Sequence, residues 1–256
     1  MLSLLALEFP PISHLVDWPD IAGEGWYAIN KPILIYFSAV ILTLLLFFVA
    51  GSKKQLVPSP VQSIAESSVD FVRNQIVMQT MGSEGLVFLP FLAALFFFIL
   101  FSNITEVLPG IQFPANSRIA MPMALALLTW LVFNVVGILK QGPLRYLKGI
   151  LFPPGVPVFL YVLVTPIELV STFLVRPLSL AVRLFANMLA GHLILVTFAL
   201  LSATLWTKGI AVAILPFPFL LLIAMTAFEV LVGFLQAFIF TILTAVYIGG
   251  ALHPEH

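Results

Sequence analysis

The sequence contains no cysteine and very little charge: only 9% of its 256 residues are Asp, Glu, Lys or Arg. Without cysteine there are no disulfides, thiolate metal sites or cysteine nucleophiles, and the redox compartment is left open. So little charge excludes an ordinary soluble domain, in which about a quarter of residues are charged. The charges present cancel, 11 basic against 11 acidic, so there is no broad basic field and no nucleic-acid partner is expected. No basic run precedes the apolar residues 1–7, and Glu8 and Pro10–Pro11 follow them; the start is therefore read as mature sequence rather than a signal peptide. What fills the chain instead is apolar: 61% of residues are hydrophobic and the mean hydropathy is +1.15. A bilayer must be most of its solvent. The expected fold class is all-α, a polytopic integral membrane protein forming one membrane domain over 1–256.

Three segments read as simple transmembrane helices, 33–50, 85–102 and 119–139. Each is free of charge and approaches the ~20 residues that cross a hydrocarbon core. Lys53, Lys54 and Arg73 lie between the first and second, and Lys140, Arg145 and Lys148 follow the third. The opposite loops hold only Arg118, and the stretch before Lys31 holds Glu8, Asp17, Asp20 and Glu24 but no base. Cytoplasmic loops carry the excess of Lys and Arg, so the segment 1–32 and the N-terminus are expected outside and the C-terminus in the cytoplasm. Between the first two spans, 59–81 reads as an amphipathic helix. Ser59 can cap it, Pro60 suits its first position, and Val61, Ile64, Ala65, Val69, Val72 and Ile76 recur at helical spacing. It can lie on the inner membrane surface, bind a partner, or do both.

The remainder consists of two long apolar segments, 156–207 and 209–252. As straight helices they would measure roughly 78 and 66 Å, too long to stand upright in a core about 30 Å thick. Either they are steeply tilted, or Pro166, Pro177, Pro216 and Pro218 break them; the spacing is compatible with both. Their few ionisable residues are Glu168, Arg176, Arg183, His192 and Glu229. An Arg at a helix centre costs about 2.5–3.5 kcal/mol on insertion scales, so such groups face a bundle interior or a wet path. Arg176, near the inner end, reads equally as a snorkelling charge; Arg183 lies deeper. At about 100° per residue, Arg176, Arg183 and Asn187 share one helix face and His192 lies on the opposite one. An antiparallel hairpin turning near Gly209–Ile210 sets Arg183 level with Gln236, and His192 level with Glu229. Ala186, Ala190, Gly191 and Gly233 would let the two helices approach closely. Arg183 cannot relay a proton but can hold an opposing carboxylate ionised. His192 and Glu229 can exchange protons near neutral pH. His14, His253 and His256 read as solvated tails rather than metal ligands, and no cofactor is expected.

The run "RPLSLAVRLFANMLAGHLIL" from Arg176, with "AFEVLVGFLQAFIFTILTAVYI" from Ala227 and "LFSNITEVLP" at the end of the second span, resembles subunit a of the F-type ATP synthase. The resemblance implies a long, steeply tilted helical hairpin packed on a rotating ring of c subunits, with peripheral-stalk b subunits and the remaining synthase subunits as further partners. It places the family's essential arginine on Arg183, its polar companions on Asn187 and Gln236, and its histidine and glutamate on His192 and Glu229. Glu106, near Asn103, matches the outer half-channel; Glu168 and Ser179, with Arg176 close by, match the inner one. Glu168 stands eight residues before Arg176 where many members have seven, and one extra residue turns a helix by about 100°. The implied activity is proton translocation coupled to ATP synthesis, with sodium left open as coupling ion because the ring carries the binding carboxylate. There is no GxxxxGK[ST] loop, so the nucleotide chemistry is expected in other subunits. A bacterial plasma membrane is the expected location. The alternatives are a self-contained proton-coupled secondary transporter, although no internal repeat is evident, an intramembrane protease, and a structural membrane scaffold.

Overall fold

A computed structural model describes residues 21–23, 29–51, 59–108, 110–152, 156–206 and 209–252. Most of the expected outer segment 1–32, Lys53, Lys54 and Lys208, and the histidines at 14, 253 and 256 lie outside the described residues. Among the described residues the chain is helical, with no strand beyond an isolated bridge between Ala22 and Ile29.

α1 runs over Lys31–Gly51, with the Asn30 side chain accepting from the Ile33 amide at its start. α2 covers Pro60–Val72, with Pro60 in its first turn and the Ser59 side chain accepting from the Gln62 amide. It continues through a π turn, Arg73–Val77, into Met78–Thr80. The expected apolar row divides here. Val72 and Ile76 are fully buried, whereas Val61 and Ile64 are 66% and 69% exposed. Gln62 turns inward in their place, donating from its amide to Glu66 at 2.8 Å. α3 is Leu89–Ile104, extended at its front by a 3-10 segment, Gly82–Phe88. α4 is Ala120–Gln141 and stops at Gly142, whose φ of 82° only glycine adopts readily. α5, Pro143–Leu151, then doubles back and is seated by Tyr146. The Tyr146 hydroxyl donates to Asn134 at 3.2 Å, and its ring fills the space a side chain at Gly137 would need.

The long segments are continuous rather than broken. α6, Tyr161–Val170, keeps Pro166 inside it and passes through a π turn at Ser171–Val175 into α7, Arg176–Trp206. A 3-10 segment, Gly209–Ile214, leads to α8, Pro216–Leu252, where Pro216 and Pro218 fall in the first turn, a tolerated position. Among the described residues five helices are long and apolar enough to cross a membrane: Lys31–Gly51, Gly82–Ile104, Ala120–Gln141, Val158–Trp206 and Val212–Leu252. The last two, of 49 and 41 residues, are about 74 and 62 Å long, so in a bilayer they must lie strongly tilted.

α8 is the hub, packing on α3, α7 and α4, while α1 packs on α3 and α4 on α7. The core joins Val72, Ile76, Leu92, Phe96, Leu184 and Phe240. The outer faces of the long helices stay apolar and bare, as at Val162 (85% exposed) and Phe228 (55%). Surfaces of that kind require lipid or a partner chain.

Candidate functional site

The polar side chains of the interior collect along the seam between α7 and α8 and at the C-terminal end of α3. Glu229, on α8, is buried, and its carboxyl group lies against Gly191 of α7, where any Cβ would collide with it. Four residues before Gly191, Asn187 donates from its amide to the Gln236 carbonyl oxygen at 2.7 Å. The two helices therefore cross closely at Gly191 and are tied by an amide pair one to two turns away. A cleft of about 340 Å³ opens between them, lined by Asn187, Gly191, Glu229 and Gln236 together with apolar side chains such as Ile194 and Phe228. Asn187 and Phe228 are exposed, so the cleft reaches the outer face of the hairpin.

His192 faces the other way, toward α3. Its Nδ1 is 3.4 Å from a carboxylate oxygen of Glu106, and both groups are buried. Glu106 stands just beyond the end of α3, where its amide closes a turn on the Asn103 carbonyl. Burial pushes the Glu106 carboxyl above its ordinary pKa, an effect partly offset by His192. A buried network holds this corner. Asn103 donates to the Gly233 carbonyl of α8 at 3.0 Å, and Asn116 donates to Asn103 at 2.7 Å and to Ser102 at 2.9 Å. The second carboxyl oxygen of Glu106, one of Glu229, the Gln236 amide nitrogen and the Ser117 hydroxyl are buried without a hydrogen-bond partner among the described residues. Buried polar atoms left unpaired are costly and mark places where water or an exchanging proton is accommodated.

Arg183 is half-buried on α7, one turn before Asn187, and among the described residues no carboxylate comes within ion-pair distance of it. Arg176 lies over the Tyr247 ring at 5.3 Å, so α8 provides it an aromatic partner. Glu168 is half-buried and Ser179 exposed, and among the described residues neither makes a hydrogen bond or ion pair with the seam groups above. The hairpin register agrees with the expected depth, since Glu229 lies against Gly191 beside His192. The side-chain partners differ: Gln236 meets Asn187 rather than Arg183, and His192 turns to Glu106 just beyond α3. Asn116, Ser102 and Ser117 were not among the residues singled out from sequence. Asn116 sits in "FPANSR", where an asparagine reads as a turn residue, and only the tertiary packing of a 3-10 turn at Ala115–Ser117 against α7 buries it. Among the described residues no group of three His, Asp or Glu is placed to hold a metal ion.

A helical membrane chain whose buried acid, imidazole and carboxamide groups line a helix seam, with an arginine on an adjoining face, belongs to the class of integral membrane proteins that handle ions. The sequence model of the ATP synthase A chain family matches residues 33–249. An "ATP synthase subunit a" from Parafrankia sp. is 45% identical over 91% of this chain and 83% of the relative. Proteins of the same name from Rhodococcus erythropolis and Rhodopseudomonas palustris are 43% and 45% identical, covering 99% and 96% of this chain and 94% and 96% of theirs. The chain belongs to the ATP synthase A chain family.

Proposed function

We propose that this chain is the proton-translocating stator subunit of a rotary ATP synthase in a bacterial plasma membrane, with its N-terminus outside and its C-terminus in the cytoplasm. It works with the other subunits of the synthase, and its α7–α8 cleft faces the carboxylates of a ring of c subunits; peripheral-stalk b subunits hold it still. It carries no nucleotide chemistry of its own and serves as the translocating part of the enzyme.

A proton enters from outside at Glu106 and Asn103, passes His192, and reaches Glu229 in the seam. From there it neutralises a ring carboxylate, which can then move into lipid, where a charged one would be heavily penalised. After nearly a full revolution the ring site loses its proton to an inner path that includes Glu168 and Ser179, with Arg176 at its mouth. Arg183 stands between the two paths. Its fixed charge keeps the arriving ring site deprotonated and bars a direct crossing. Asn187 and Gln236 hold the seam beside it. Each charge that falls through 100 mV supplies about 2.3 kcal/mol, so several must pass for each ATP.

The observation that carries this reading is the buried pair of Glu106 and His192 beside a buried Glu229, whose carboxyl lies against Gly191 and lines a cleft on the exposed face of the hairpin. Proton flux in inverted membrane vesicles tests it, with Arg183→Ala compared to wild type in complexes of equal subunit content. Loss of ATP-driven acidification with assembly intact is expected. Pumping at the wild-type rate would remove the barrier role from Arg183 and favour a scaffold.

A further inference from the structure

The turn at Ser171–Val175 lies between Glu168 and the arginine-bearing face of α7. In an unbroken α-helix the eight steps from Glu168 to Arg176 amount to about 800°, which points Glu168 some 80° away from Arg176. The segment is not regular. The Arg176 amide reaches back five residues to the Ser171 carbonyl, the mark of a π turn. A single π turn takes up one additional residue within a helix. The effective rotation is then about 700°, and Glu168 returns to within about 20° of Arg176 and about 40° of Arg183.

Two side chains explain why the turn sits here. Because the Arg176 amide goes to Ser171, the Thr172 carbonyl loses its α-helical donor, and the next residue, Pro177, has no N–H to offer. Trp130 of α4 supplies the missing donor: its indole Nε1 is 3.2 Å from the Thr172 carbonyl, and its ring packs edge-on against Phe173. Thr172 is buried against α4, while Leu174 and Val175 on the far side are exposed.

We propose that the Ser171–Val175 π turn, held by Trp130, is a positioning device that keeps Glu168 on the Arg183 side of the helix, and that Trp130 is thereby a positioning residue for the inner proton path. This rests on the reading of Glu168 as a group of that path. The device makes tolerance of length changes asymmetric. Deleting Leu174 turns the segment into plain α-helix with seven steps and leaves Glu168 where it was. Inserting an alanine after Leu174 rotates Glu168 by about 100°.

The test uses whole complexes in inverted vesicles, which expose the inner side to the bath, and compares ATP-driven pumping as bath pH is varied. The deletion is expected to pump within about twofold of wild type. The insertion is expected to lose about tenfold or more, as displaced groups do, and to match Glu168→Gln. Should the insertion fail to assemble, Trp130 decides the matter. Trp130→Phe keeps the ring but not the donor, and is expected to shift the inner-side pH profile as Glu168→Gln does. In the Leu174 deletion it is expected to add nothing, because no π turn remains to be held. Equal tolerance of deletion and insertion, or a Trp130→Phe defect undiminished by the deletion, would overturn the device while leaving Arg183 and the general reading intact. A Glu168→Gln complex that pumps like wild type would instead remove the premise about Glu168.

Discussion

The carboxyl group of Glu229 occupies the volume that a side chain at residue 191 would fill, so the absence of a Cβ on Gly191 is what admits the acid to the α7–α8 seam. Overfilling a packed site costs about 1–3 kcal/mol, and here the displaced atoms are the carboxyl itself. Gly191→Ala should therefore expel Glu229 and lower proton flux about tenfold or more, with the complex still assembled. Gly191→Ala combined with Glu229→Asp, one methylene shorter, should recover part of that loss. Simple addition of the two losses in vesicle pumping would show that the residues are not coupled.

Asn116 holds the corner at the end of α3 by donating to Asn103 and Ser102, and Asn103 in turn donates to the α8 backbone. Asn116→Ala leaves those acceptors buried and unpaired, at about 1–3 kcal/mol each. The absence of native cysteine makes the consequence easy to read. Ser117→Cys introduces the only thiol, at a position 2% exposed. Labelling of that thiol by a water-soluble maleimide should be slow, and Asn116→Ala should speed it by about tenfold or more. Unchanged labelling would place the stability of the corner elsewhere.

Burial raises the pKa of Glu106, and His192 partly offsets the rise. A native carboxyl that holds its proton more tightly than the unfolded chain contributes stability below its unfolded pKa and loses it as pH climbs through the folded value. The melting temperature of the complex should accordingly fall as the outer-side pH is raised from the acid range, and Glu106→Gln should flatten that fall. His192→Gln removes the offset and should carry proton release from Glu106 to higher pH, seen as persistence of its protonated carboxyl band in infrared difference spectra. A lower release pH would reverse the role given to His192.

Gly137 is filled by the Tyr146 ring. Gly137→Ala should unseat α5 and loosen the backbone around Arg145 and Lys148, whose side chains are already exposed, accelerating trypsin cleavage there about tenfold, while proton flux changes much less. A flux loss as large as that of Gly191→Ala would tie α5 to transport.

Helical class, the number of apolar spans and the family were legible from residue order because they depend on local composition and on short motifs. The 18-residue windows that cross a membrane announce themselves, and the Arg183-to-His192 run is distinctive in itself. The partner of His192 was not legible. Its spacing points to Glu229, but the imidazole meets Glu106, brought there by a third helix whose position depends on packing at Phe96, Phe97 and Phe240. Likewise Val61 and Ile64 obey helical periodicity and still face outward, because periodicity gives the faces of a helix and not which face finds a neighbour. The π turn at Ser171–Val175 escaped as well. Pro177 hinted at irregularity, but the choice between a kink, a break and a π turn rests on a tryptophan 42 positions away.

The α7–α8 cleft is walled by this chain on one side only, with Asn187 and Phe228 at its open edge. On the proposed reading, insertion of the newly made chain into the membrane and the onset of ion flow are then separate events in time. The chain on its own holds an acid, an imidazole and an arginine with no acceptor to turn them over, and it begins to transport only when a second surface closes the cleft. A cell that makes this protein in excess accumulates an inert component rather than a leak.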